Sequence, residues 1–299
     1  MLESMLAFNS GYDKNLHIKL SKFNVQRLAP QYVDEDWASN LHTETAYLLN
    51  EGEFVEGQRR LVQPYLVDLP TEAKEFVQWF EHLKAIGPGQ GDSLFPWLAD
   101  EATLEEMRWF LRQEAAGEAG FEDLVAITQV KLPVRAKMEM ARNYWDEMGR
   151  GYQRGMHGPM LSTVVKELDL DPTIEDTVPE SLAQANLMLA IAVNRRYAYQ
   201  SVGALGVIEM TAPTRVNYVA KGLKRLNLPL SVRKYFQLHA SLDIKHSEEW
   251  NKEVIYSLVK DDPNTAKPIA EGALMRLNCG ARCFNRYRQQ FGLSAHVES

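Results

Sequence analysis

YFQLHASLDIKHSEEW, Tyr235 to Trp250, places His239, Asp243 and His246 at i, i+4 and i+7. That spacing brings all three side chains onto a narrow arc of an α-helix, where they meet the same neighbour. A lone buried histidine is more often a hydrogen-bonded core residue than a ligand. A histidine, a carboxylate and a second histidine on one stripe form a facial set suited to a first-row metal ion. The stretch therefore reads as a helix that turns a polar stripe inward, and the rest of the chain keeps the same period.

Apolar residues recur at helical spacing over Ala73 to Leu83, Leu104 to Val130, Val134 to Met148, Leu182 to Met210, Pro213 to Leu226, Ser231 to Val259 and Thr265 to Phe291, while strand signals are scarce. The expected class is all-α. Gly, Pro, Asp and Asn punctuate Ala85 to Pro96, Leu168 to Ser181, Asn227 to Leu230 and Asp261 to Asn264. After Pro179 and Glu180, Ser181 is the expected N-cap of the next helix. Residues 1–90 are less periodic and are expected as a helical N-terminal extension packed on a main bundle formed by residues 91–299.

A hydrophobic content of 45% and a charged content of 24% predict a soluble, packed protein with no disordered tract. The net charge of −7 and the absence of a Lys/Arg block exclude a nucleic-acid partner, which would need a basic face. No apolar run approaches the roughly 20 residues of a membrane span. The opening MLESMLAFNSGYDKN lacks the basic and apolar regions of a signal peptide, so the cytoplasm is the expected location. Cys279 and Cys283, the two cysteines of the chain, are expected as reduced, half-buried thiols.

Further carboxylates fall where the pattern calls for apolar residues. The stripe of Leu104 to Val130 runs through Met107, Leu111, Phe121 and Val125 and also through Glu114 and Glu118. Its spacing suits carboxylates that snorkel to water as well as carboxylates that face inward. Glu209, in QSVGALGVIEMTAP, has small or apolar near neighbours and needs a cation, a proton or a metal if it is buried. Glu147 and His157 flank Gly149, Gly151 and Gly155, which weaken the helix enough to permit a turn between them. Glu114, Glu147, Glu209 and Asp243 supply four negative charges, matching two divalent ions, with His157, His239 and His246 as neutral donors. Carboxylates and imidazoles without thiolate favour iron or manganese over structural zinc.

At these residues the sequence resembles the haem-oxygenase-like di-iron oxidases and oxygenases, the group known as iron-containing redox enzymes. NYWDEMGRG followed by MHGPML is similar to that group's signature, and Glu209, His239, Asp243 and His246 reproduce the spacing of its later ligands. The likeness runs from Met107 to about Trp250. It implies a haem-oxygenase-like helical bundle holding two iron ions, with O2 as co-substrate and an external electron donor. By motif, Glu147, His157, Glu209, His239, Asp243 and His246 are the implied ligands and catalytic residues. One glutamate of an earlier helix completes the set, Glu114 being preferred to Glu118, with Glu122 a further turn on. Members of the group oxidise unrelated small molecules, so the likeness implies N-oxygenation, desaturation or oxidative C–C cleavage of a small-molecule substrate such as an amino acid or carboxylic acid, without selecting one. It also implies a homodimer.

A ferritin-like protein would carry two Glu-x-x-His pairs, whereas this chain has one Asp-x-x-His and none of the former. A true haem oxygenase needs an axial histidine on its first helix, and Leu104 to Val130 contains none. A non-catalytic or iron-binding scaffold remains the reading from a different class, and iron stoichiometry separates it from an enzyme. Arg195 and Arg196, some four turns before Glu209, are read either as a substrate-carboxylate clamp or as a surface pair. Tyr144, Trp145 and Tyr199 are expected in the core.

Overall fold

In a computed structural model of the chain, which describes residues 13–32 and 36–293, the polypeptide forms thirteen α-helices and no strand among those residues. They are α1 (Lys14–Leu28), α2 (Trp37–Val62), α3 (Ala73–Ile86), α4 (Leu94–Asp100), α5 (Leu104–Gly117), α6 (Phe121–Thr128), α7 (Val134–Glu147), α8 (His157–Glu167), α9 (Pro179–Val193), α10 (Ala198–Arg225), α11 (Leu230–Glu249), α12 (Tyr256–Asp261) and α13 (Ala266–Gln290). The all-α expectation holds. No described helix is long and apolar enough to cross a membrane.

The axis of the bundle is α10, buried along most of its length and packed against α11 on one side and α13 on another. Glycine permits the second contact. A methyl group on Gly203 would sit 1.9 Å from the carbonyl oxygen of Ile269, and one on Gly272 would sit 1.8 Å from that of Gln200. The two backbones therefore touch, and no larger residue fits at either position. Around them Phe54, Val55 and Val62 of α2 and Phe76 and Phe80 of α3 join Leu187, Leu205 and Leu274 in one apolar cluster. A second cluster gathers Leu94, Leu98, Phe110, Val219, Phe236 and Phe284 at the other end. Part of the 1–90 segment, residues 1–12 and 33–35, lies outside the described residues.

Several helix boundaries differ from the sequence-based expectation, each for a local reason. Leu104 to Val130 is two helices, broken at Glu118, because Gly120 takes a left-handed backbone with φ of 76°. The run Leu182 to Met210 breaks at Asn194, whose side chain caps a short turn at Arg195–Tyr197. Conversely, α10 runs through Pro213 where a break was expected. Burial of both flanks outweighs the one lost hydrogen bond, and the carbonyl of Glu209, four residues before Pro213, is the group left without an N–H. Ser181 is not the cap of α9. The N-cap is Val178, whose N–H is satisfied by Gln113 Oε1 at 2.8 Å. The helix that begins at Leu230 passes after His246 into a wide π-turn, Trp250–Ile255, rather than running evenly to Val259.

Other side chains moved as well. Trp145 is 53% exposed and not in the core, whereas Tyr144 and Tyr199 pack against the first cluster. Cys279 and Cys283 are fully buried, deeper than the half-buried positions expected.

Candidate metal centre

Two segments bring the acidic motif and the histidine stripe together. Helix α7 ends on Glu147, and the chain then makes two 3-10 turns, Gly149–Gly151 and Gln153–Gly155, before α8 begins at His157. Gly149 and Gly151 adopt φ of 61° and 82°, and a methyl group on Gly149 would lie 2.4 Å from the backbone of Gly155. This glycine-dependent reversal returns His157 to the residue from which the chain departed. His157 Nδ1 lies 2.6 Å from Glu147 Oε2, and both side chains are 4% exposed. The two atoms nevertheless lack hydrogen-bond alignment, and Nδ1 counts as a buried atom with no partner.

Helix α11 supplies the facing stripe, with Asp243 and His246 buried and His239 half-buried. Two donor groups result. Glu147, His157 and His239 place one ligand atom each within 4.8 Å of one another, and so do Glu147, Glu209 and His246. Glu147 belongs to both. Asp243 lines the same cavity, and its Oδ1 is buried without a partner.

The outer hydrogen bonds fix which imidazole nitrogens are free. His239 Nδ1 is 2.8 Å from the carbonyl oxygen of Tyr235, which can only accept, so Nδ1 carries the proton and Nε2 faces the centre. His246 Nε2 lies 3.2 Å from Asp146 Oδ2, and Nδ1 points toward Glu209 Oε2 at 3.5 Å, at the outer limit of a hydrogen bond. Asn143 Nδ2 donates to Glu209 Oε1 at 2.5 Å. Asn143 and Asp146 were not singled out from the sequence. They stand four residues and one residue before Glu147 in NYWDE, and the i, i+3, i+4 relation on α7 was the signal available for them.

Charge in the metal-free centre is suppressed. Burial and then Glu209 hold the Glu147 carboxyl well above its ordinary 4.5, and burial with Glu209 and Glu147 does the same to Asp243. Burial pushes His157 down to about 4, reinforced by His246, and pushes His239 down to about 4, reinforced by His157. His246 alone rises, to about 9: burial opposes the rise, and Glu209 and Asp146 outweigh it. The centre thus favours the protonated carboxyls of Glu147 and Asp243 and the neutral imidazoles of His157 and His239, whereas His246 favours its protonated form. A divalent cation would displace those protons and satisfy the unpartnered atoms of His157, Asp243 and His246. The donor set fits such an ion.

The earlier glutamates divide. Glu114 accepts the hydroxyl of Tyr287 at 2.9 Å and is charge-coupled to Arg276 and Arg215, not to the histidines. Glu122 and Glu118 act electrostatically on Glu147, and Glu122 acts on His157. A methyl group on Gly158, next to His157, would come within 2.8 Å of Glu122 Oε1. Glu118 is exposed and also lines the cavity, and its pKa is raised, with Glu122 adding to the rise. The break after Gly117 is the physical reason for the division, since it turns Glu118 and Glu122 away from the line of Glu114. Arg195 and Arg196 are not on the helix of Glu209. Arg195 instead donates to the carbonyls of Ile127, Thr128 and Val130 at the end of α6, so the clamp reading of this pair fails.

Fold and donor set together define a helical bundle with a buried carboxylate–histidine centre. The sequence profile of the family described as iron-containing redox enzyme matches residues 108–281, and the chain belongs to that family. No curated protein matches it. Among solved structures it is similar to a CADD-like protein of unknown function from Nostoc punctiforme, with 16% identity and a TM-score of 0.57 over 74% of this chain and 99% of that one. A second structure of that protein gives 17% identity and a TM-score of 0.54 over 77% and 100%. A domain of unknown function with a heme oxygenase-like fold from Shewanella denitrificans is 16% identical, with a TM-score of 0.50 over 76% of this chain and 94% of its own. At such identities the likeness is one of fold, and the fold is haem-oxygenase-like.

Proposed function

We propose that the protein is a non-haem di-iron enzyme that uses O2 to oxidise a small organic substrate by N-oxygenation, desaturation or C–C cleavage, with electrons from an external donor. The observation that carries this reading is the membership of Glu147 in two donor groups at once. Glu147, His157 and His239 would hold one ion and Glu147, Glu209 and His246 the other, with Asp243 and one of Glu122 or Glu118 completing the shell. Ferrous iron bound there supplies O2 activation.

The rest is done by the chain's own groups. Asp146 and the Tyr235 carbonyl hold the two imidazoles in the tautomers that leave a nitrogen free for the centre. Asn143 holds Glu209 by one oxygen and leaves the other toward His246. Apolar walls such as Ile208, Val216 and Phe236 limit water in the cavity beside the centre, which protects a reactive oxidant from side reactions.

The test is anaerobic loading of the metal-free protein with Fe²⁺, metal analysis, and then O2 uptake. About two irons per chain and O2 consumption are expected, as for a two-metal site with carboxylate and imidazole donors. Glu147→Ala should lose both ions. A protein that takes up no iron, or holds two irons and consumes no O2 with any substrate, is a scaffold and not an enzyme.

A further inference from the structure

The cavity that borders the candidate centre has a second polar end. Besides Glu147, Glu209, His239 and Asp243, its wall carries Arg215 of α10 and Arg276 of α13. Neither guanidinium has a hydrogen-bond or ion-pair partner among the described residues, and Arg276 Nε is buried without one. Both side chains are half-buried and line the cavity.

Glu114 is the carboxylate that acts on both arginines, and one of its oxygens is already engaged by Tyr287. Glu118 also senses Arg276, but it belongs with the acidic residues around the metal ligands. Two cations thus share Glu114, whose own charged form burial disfavours. The strain is visible in Arg215, whose pKa burial and Arg276 push down to about 9 against the pull of Glu114. The face of Phe284, 5.6 Å from Arg215 Cζ, offsets only part of this cost. Buried cations without partners are costly enough to be rare, and arginine's planar fork is matched to carboxylate. One more anion closes the charge balance.

Between the two polar ends the wall is apolar, formed by Phe110, Leu111, Ile208, Val216, Val219 and Phe236. The space open to the centres of water molecules is about 170 Å³. At a water's share of liquid volume, about 30 Å³, that space holds roughly six waters, the bulk of a small organic acid.

We infer that Arg215 and Arg276 form the anion-binding end of a substrate site, and that the substrate is a carboxylate with an apolar body whose far end reaches His239 and Asp243. Only the orientation toward the centre rests on the function proposed above; the anion subsite stands on the two arginines and the cavity.

The experiment measures binding of hexanoate and octanoate, and of hexanamide and octanamide, to the metal-free protein by calorimetry, in parallel with its iron stoichiometry after loading. The acids should bind about tenfold or more tightly than the amides, as expected for charge-assisted bidentate pairing, and Arg215→Gln and Arg276→Gln should each remove that preference while iron content is unchanged. Equal affinity for acid and amide, binding of neither, or a preference that survives both substitutions overturns the assignment. If either variant fails to fold, the acid-to-amide ratio of the unaltered protein decides. Selective acid binding without iron uptake rejects the proposed function and leaves the subsite intact; iron uptake and O2 consumption without acid selectivity do the reverse.

Discussion

His246 reaches Asp146 through Nε2 at 3.2 Å, and by doing so turns Nδ1 toward Glu209. Asp146 is itself held by Arg150 Nε at 2.6 Å, so a surface ion pair on the glycine-rich turn is connected through one carboxylate to the orientation of a buried imidazole. Asp146→Ala should therefore weaken Fe²⁺ binding by about 10–100-fold, the usual effect of removing an outer partner of a ligating histidine. Asp146→Asn keeps an acceptor and should lose less. Equal affinity of the alanine variant and the unaltered protein, measured by competitive titration with a chelator, would show that His246 is oriented by packing alone.

Glu122, Glu118 and Glu114 can be separated by iron content. Glu122 acts electrostatically on His157 and abuts the neighbouring Gly158, and Glu122→Ala should cause the largest loss, with Glu118→Ala next. Glu114→Ala should retain iron, because Glu114 is bonded to Tyr287 and faces the arginines. Emptying of the site by Glu114→Ala alone would return the first-helix ligand to the position favoured by the sequence pattern.

Substitution at the contact of α10 with α13 tests the fold without touching the centre. Gly272→Ala would set a methyl group 1.8 Å from the carbonyl oxygen of Gln200, where only backbone movement can relieve the clash. A loss of about 1–3 kcal/mol or more is expected in chemical unfolding, as for other overpacked interiors. Gly52→Ala, where a methyl group meets nothing within 4 Å, is the matched control and should be neutral or stabilising.

Acid should weaken the attachment of α2 to α13. Glu271 accepts Arg59 Nε at 2.9 Å, Gln63 Nε2 at 2.8 Å and Gln200 Nε2 at 2.9 Å. Burial alone would raise its pKa, but these hydrogen bonds outweigh burial and hold it below the ordinary 4.5. A depressed folded-state pKa gives stability that is present above 4.5 and is lost as pH falls through the folded value. Unfolding midpoints measured from pH 7 to pH 3 should fall most steeply below 4.5, and Glu271→Gln should flatten that limb. An unchanged limb in the variant would assign the acid loss to other carboxylates.

Much of the architecture is legible in the chain because helical period is a local property. The spacing of His239, Asp243 and His246 fixes one face of α11 whatever packs against it, and the glycines between Glu147 and His157 mark a turn by their backbone freedom alone. The type of centre is legible for a related reason: carboxylates and imidazoles at apolar-stripe positions are costly unless something charged meets them. Sequence cannot fix how far a helix continues when tertiary burial competes with a local breaker. Pro213 should have ended α10 and does not, whereas Gly120 and Asn194 end helices whose apolar pattern runs on. Those outcomes moved Arg195 away from Glu209, swung Glu118 and Glu122 toward Glu147, and left Glu114 with Tyr287. Which carboxylate meets which histidine, and that Arg215 and Arg276, 61 residues apart in the chain, share a cavity wall, depend on how separate helices cross. Contacts between helices are set by side-chain volume and backbone approach, as at Gly203 and Gly272, and only the folded bundle decides them.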